Sequence, residues 1–149
     1  MREMNDVRLR ITSLTLTAQQ IEARIGCKPN EGWNIGDRRG TFGAPARENG
    51  VIFESGAPIS AVFADYLTYL MRKLSPYSPK IGGLAAECTI EVVYTLHRKV
   101  APMLAYSREE IYWFATIGAR LCIDTFLISD APRVGARAPS AGGAEAPKF

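Results

Sequence analysis

The chain is poor in the residues that carry most hydrolytic and metal chemistry: one histidine and three cysteines in 149 residues. With a single histidine, any imidazole-based acid–base or triad mechanism must use His97, and no G-x-S-x-G elbow supplies it with a nucleophile. Cys27, Cys88 and Cys122 are odd in number, widely spaced and never in a C-x-x-C pair, a poor disulfide framework. They are expected as small buried hydrophobes. Lone carboxylates such as Asp65 and Asp124 have no His or Cys at ligand spacing, so no metal and no cofactor are expected.

Long apolar runs are missing as well. None approaches the ~20 residues that cross a bilayer, and Met1 to Arg10 carry mixed charges where a signal peptide needs an apolar stretch. The expected location is the cytoplasm, without membrane contact. Charge of one sign is scarce too. The formal net charge is +3. Arg133, Arg137 and Lys148 against Glu145 put two of those positive charges after Pro132 and leave one for the rest. A nearly neutral domain lacks the footprint of phosphate binding, so nucleic acid is not an expected partner.

What is present reads as one α+β domain over residues 1–131, followed by an Ala/Gly/Pro-rich tail over 132–149 that is expected to be disordered. Val7, Leu9 and Ile11 alternate with Arg8, Arg10 and Thr12, the period of a half-buried strand. Thr17 and Gln20 form a capping box for a helix carrying Ile21 and Ile25, and Gly26 ends it. Residues 28–50 hold five glycines and two prolines without periodicity, a long loop. Val51 to Ser55 reads as a short strand. A helix from Pro58 is predicted by Ile59, Val62, Phe63, Tyr66, Leu67, Leu70 and Leu74, with Pro76 and Pro79 ending it. Cys88 to His97 reads as the longest strand. Ser107 and Glu110 open another capped helix, with Ile111, Phe114, Ala115 and Gly118 towards the core, and Leu121 to Ile128 reads as the last strand.

The order β-α-β-α-β-α-β predicts a two-layer sandwich: a four-stranded, largely antiparallel or mixed sheet with three helices on one face. The two capping boxes and the Ile-Gly exits of their helices also suggest two related β-α-β halves.

Three surfaces are candidates for function. On the open sheet face, Arg8, Arg10, Glu91 and Thr95 form either a salt-bridged surface or a shallow binding platform. In the long loop, Trp33 either caps the core or, with Asp37, Arg38, Arg39 and His97, binds an anionic ligand. Tyr112 and Trp113 lie beside the expected core stripe and are candidate partner anchors.

Taken together, the strand from Val7 to Ser13, the Ile21…Ile25-Gly26-Cys27-Lys28-Pro29 helix exit, Gly36-Asp37, Phe53-Glu54-Ser55, Ser107…Glu110-Ile111 and Gly118…Ile123-Asp124 resemble a bacterial family, the domain of unknown function 4279. The likeness spans most of residues 7 to 128. Phe53 stands where members commonly have tryptophan. The resemblance implies a small bacterial α+β domain and carries over no activity or residue role. The expected function is therefore a non-catalytic protein-binding module, immunity-type or regulatory, with a protein partner or a homodimer. The alternative is a small-molecule-binding domain or an enzyme using the 28–50 loop and His97.

Overall fold

The computed structural model describes residues 5–98 and 104–127. The predicted tail, and Ile128 at the end of the last predicted strand, lie outside the described residues. The chain runs β1 (Asp6–Ser13), α1 (Ala18–Ile25), β2 (Glu31–Trp33), β3 (Asn49–Glu54), α2 (Tyr66–Leu74), α3 (Ser78–Gly82), β4 (Thr89–Arg98), α4 (Arg108–Ile117) and β5 (Arg120–Leu127). This is an α+β fold with a mixed sheet, as expected, but among the described residues the sheet has five strands, in the order β2-β3-β1-β4-β5. All neighbours are antiparallel except β4 and β5.

The strand missed in the sequence is β2. Three residues with a central glycine carry no alternation that could reveal a strand, and its pairing with β3 closes across the loop. The supposed loop is held by asparagines. Asn30 Oδ1 accepts from Glu54 N–H at 2.9 Å, and Asn34 Oδ1 from Ala18 N–H at 2.9 Å. Asn49 Oδ1 accepts from Ile35 N–H at 2.7 Å, while its amide donates to Leu16 O at 2.9 Å. Each side chain satisfies backbone groups that a regular ladder would otherwise have to pair.

Helix ends follow local chemistry closely. Thr17 Oγ1 accepts from Gln20 N–H, Ser107 Oγ from Glu110 N–H, and both boxes are closed by the reciprocal bond. Gly26 (φ 77°) and Gly118 (φ 67°) end these helices in the left-handed conformation. The suspected halves share a topology as well. Each runs strand, capped helix, strand, and the two strands point the same way: β4 and β5 are neighbours, whereas β1 and β2 flank β3.

The core lies between one sheet face and the helices. Val7, Leu9, Ile11, Val51, Phe53, Ile90, Val92 and Tyr94 meet Ile21, Ile25, Leu67, Leu70, Leu74, Ile81, Trp113 and Ile117. The central helix starts later than its apolar pattern predicts, at Tyr66 after a 3-10 turn over Phe63–Asp65. Gly56 sits at φ 69° and Ala61 N–H closes a turn onto Pro58 O, which leaves Ile59 and Val62 exposed. No side chain caps the longer helix that the pattern would need. Pro76 falls in a 3-10 turn, and Pro79 in the first turn of α3, so helical structure resumes where the prolines were expected to end it.

Candidate functional site

On the sheet face away from the helices, pairing registers place one row of side chains across all five strands: Glu31, Ile52, Arg10, Glu91 and Arg120. Glu91 is only 5% exposed. Arg10 Nη2 donates to its Oε2, and Arg120 Nε to its Oε1 at 2.9 Å, with Arg120 Nη2 on the same oxygen. Burial works to raise the Glu91 carboxyl pKa. The two guanidinium hydrogen bonds outweigh it and hold the group below the ordinary carboxylate value. A carboxylate clamped between two arginines is a poor proton acceptor, so its chemistry is structural. Arg8 pairs with Asp6 along its own strand. Thr95 lies in register with Asp6 and Asp124 near the far end of the row set.

This face is less open than alternation predicts, since Thr12, Ile52 and Val93 on it are also buried. Next to the row, Trp33 is in register with Gly50, and its ring lies so close that a Cβ at Gly50 would come within 2.3 Å of it. The Arg39 guanidinium stacks on the Trp33 ring at 3.9 Å and bonds Glu31 Oε1 through Nε at 3.0 Å. Trp33 therefore packs as a cap, on the sheet's second face, with Arg39 holding it down. Asp37 Oδ2 accepts from Asn34 N–H at 2.8 Å, and its backbone pairs with Ala46. Two adjoining depressions border this loop. One, of about 300 Å³, lies between α1 and β2; the other, of about 430 Å³, is lined by Glu31, Trp33, Asp37, Arg38 and Arg39.

Of the five residues expected in a loop site, the structure brings four together and separates the fifth. Thr89 shares a row with Trp33 through Thr12 and Gly50. His97 lies eight residues farther along β4, about 26 Å away at strand rise. Its backbone N–H donates to Asn5 Oδ1 at 2.7 Å. A joint site of His97 with the 28–50 loop is thus corrected by distance. Among the described residues, no group of three or more His, Cys, Asp or Glu could hold a metal ion.

The α4 anchors divide. Tyr112 is 74% exposed, whereas Trp113 is 5% exposed and donates its indole N–H to Ser78 Oγ at 3.0 Å. The expectation that both lie beside the core stripe is corrected for Trp113: Trp113 and Ile117 face the core, and Ile111 is 58% exposed. The reason is the α3–α4 contact. Gly82 lets the helices approach until a Cβ there would meet Thr116 O at 2.5 Å, which turns the helix towards α3. On β5, Leu121 and Ile123 are 40% and 43% exposed.

Arg120 is the residue that the sequence reading missed. Its only local signal is the alternation Arg120-Leu121-Cys122-Ile123-Asp124, and its partner Glu91 is set by the parallel β4–β5 register. All three cysteines are free and half-buried, short of the full burial expected. Among the described residues no helix is long and apolar enough to cross a membrane.

No curated protein and no solved structure matches the chain. The family described as Domain of unknown function (DUF4279) matches residues 2–127, and the chain belongs to that family.

Proposed function

We propose that this chain is a non-catalytic protein-binding module of an immunity-type or regulatory kind, acting in the bacterial cytoplasm. The observation that carries the reading is the apolar surface left on two successive elements, with Ile111 and Tyr112 on α4 and Leu121 and Ile123 on β5. The groups a catalytic reading would recruit are occupied elsewhere: Glu91 by two arginines, Asp37 by a turn, Arg39 by Trp33 and Glu31. Three unpaired cysteines suit a reducing compartment. The test is native mass spectrometry of the tagged protein captured gently from its host. A partner at fixed stoichiometry that is lost on Tyr112→Ala, with folding unchanged, is the expected result. Capture indifferent to Tyr112→Ala and Ile111→Ala removes α4 from the interface.

A second reading, a small-molecule-binding domain, draws on the 430 Å³ depression with Arg38 at its rim. It requires an anionic ligand that raises the melting temperature of the wild type and not of Arg38→Ala.

A further inference from the structure

β5 is an edge strand. Among the described residues it pairs only with β4, and no described strand lies along its other edge. An eight-residue edge with half-exposed apolar side chains is a template for strand addition. The opposite edge of the sheet, β2, has only three residues.

The side chains of β5 say which strand fits. Registers with β4 put Arg120, Cys122 and Asp124 on the face of Glu91, Val93 and Thr95, and Leu121 and Ile123 on the core face beside Val92 and Tyr94. A two-fold axis perpendicular to the sheet through Cys122 would pair β5 antiparallel with its own copy. Arg120 then stands opposite Asp124 of the second copy, Leu121 opposite Ile123, and Cys122 opposite itself. Every pair is like with like or plus with minus; the Arg120–Asp124 and Leu121–Ile123 pairs occur twice and the Cys122 pair once, on the axis. Centring the axis on Leu121 or Ile123 instead sets Arg120 or Asp124 against Cys122 and loses the charge match. An axis through a residue also keeps the two helix layers on one side of the joined sheet.

We infer that β5 is a homodimer interface, joining two copies into one continuous ten-stranded sheet through the Arg120–Asp124 segment centred on Cys122. This rests on the protein-binding reading and names its partner as a second copy of the chain. Arg120 spends its Nε and Nη2 on Glu91 and has Nη1 to offer across the axis. The internal triad thereby pre-orients the guanidinium that the second copy meets.

Sedimentation velocity of the full chain from about 1 to about 100 µM reads the association directly. A dimer that grows with concentration is expected, and Asp124→Arg, which sets arginine against arginine at both ends, should weaken it by about tenfold or more at an unchanged melting temperature. Independently, a short bis-maleimide should link two chains in the wild type and in Cys27→Ser/Cys88→Ser, and not in Cys122→Ser. A chain that is monomeric throughout overturns the inference. So does a dimer that ignores Asp124→Arg and links without Cys122, since it uses another surface. Neither outcome touches the broader protein-binding reading, which fails only if capture yields no protein partner at fixed stoichiometry.

Discussion

Two adjacent aromatic residues on α4 show how much a single position of phase decides. Tyr112 is exposed and Trp113 is in the core, where its indole N–H finds Ser78 Oγ. Truncating each should give opposite signatures. Trp113→Ala removes a buried aromatic and takes from the buried Ser78 Oγ the donor it accepts from, and is expected to destabilise by about 3–5 kcal/mol in chemical denaturation. Tyr112→Ala should stay within about 0.5 kcal/mol of the wild type. A binding defect from the first therefore reports unfolding, and one from the second reports contact. The sequence could not separate them, because Ile111, Trp113 and Phe114 are all large and apolar, and a helical period fits either phase. What settles the phase is Ser78, thirty-five residues away.

At the level of elements, what was legible is what short-range chemistry dictates. Thr17 with Gln20 and Ser107 with Glu110 place two helix starts, Gly26 and Gly118 their ends, and the alternation from Val7 to Thr12 the central strand. What was illegible depends on partners distant in the chain: β2, which exists only because β3 offers it an edge, and the exposed turn that replaces the first half of the expected central helix. The candidate site divides the same way. Arg10 and Glu91 could be placed on one face by period two, but Arg120 entered only through a parallel register, and His97 left the loop site because strand length carries it away. The β2–β3 pair itself offers a test. Gly50 carries no side chain beneath the Trp33 ring, so Gly50→Ala forces the ring and the stacked Arg39 outward. We expect a loss of about 1–3 kcal/mol, as for other overpacked sites, with increased tryptophan exposure in acrylamide quenching. Unchanged quenching and stability would mean that the ring does not rest there.

Across the whole molecule, the row Glu31–Ile52–Arg10–Glu91–Arg120 is a line of side chains shared by all five strands, and its one buried charge is Glu91. Its arginines remain partly in water, so the triad contributes less than a fully buried one, yet the carboxylate itself has little solvent to fall back on. The linkage has a definite sign. Burial opposes the charged form, hydrogen bonds from Arg10 and Arg120 prevail, and the folded-state pKa lies below the ordinary 4.5. The stabilisation is therefore fully present above about pH 5 and is lost as pH falls through the folded pKa, where the unfolded chain already binds the proton. Glu91→Gln, which keeps the shape and removes the charge, should lower stability near neutral pH by about 1–3 kcal/mol. It should also flatten the decline between about pH 5 and pH 3 relative to the wild type. Arg10→Met should act differently. It leaves a buried carboxylate with one partner, raises the Glu91 pKa and moves the acid decline to higher pH. Urea midpoints measured across that range for the three proteins decide the matter: superimposable acid limbs for wild type and Glu91→Gln would show that the sheet's central charge is already neutralised by solvent rather than by its neighbours.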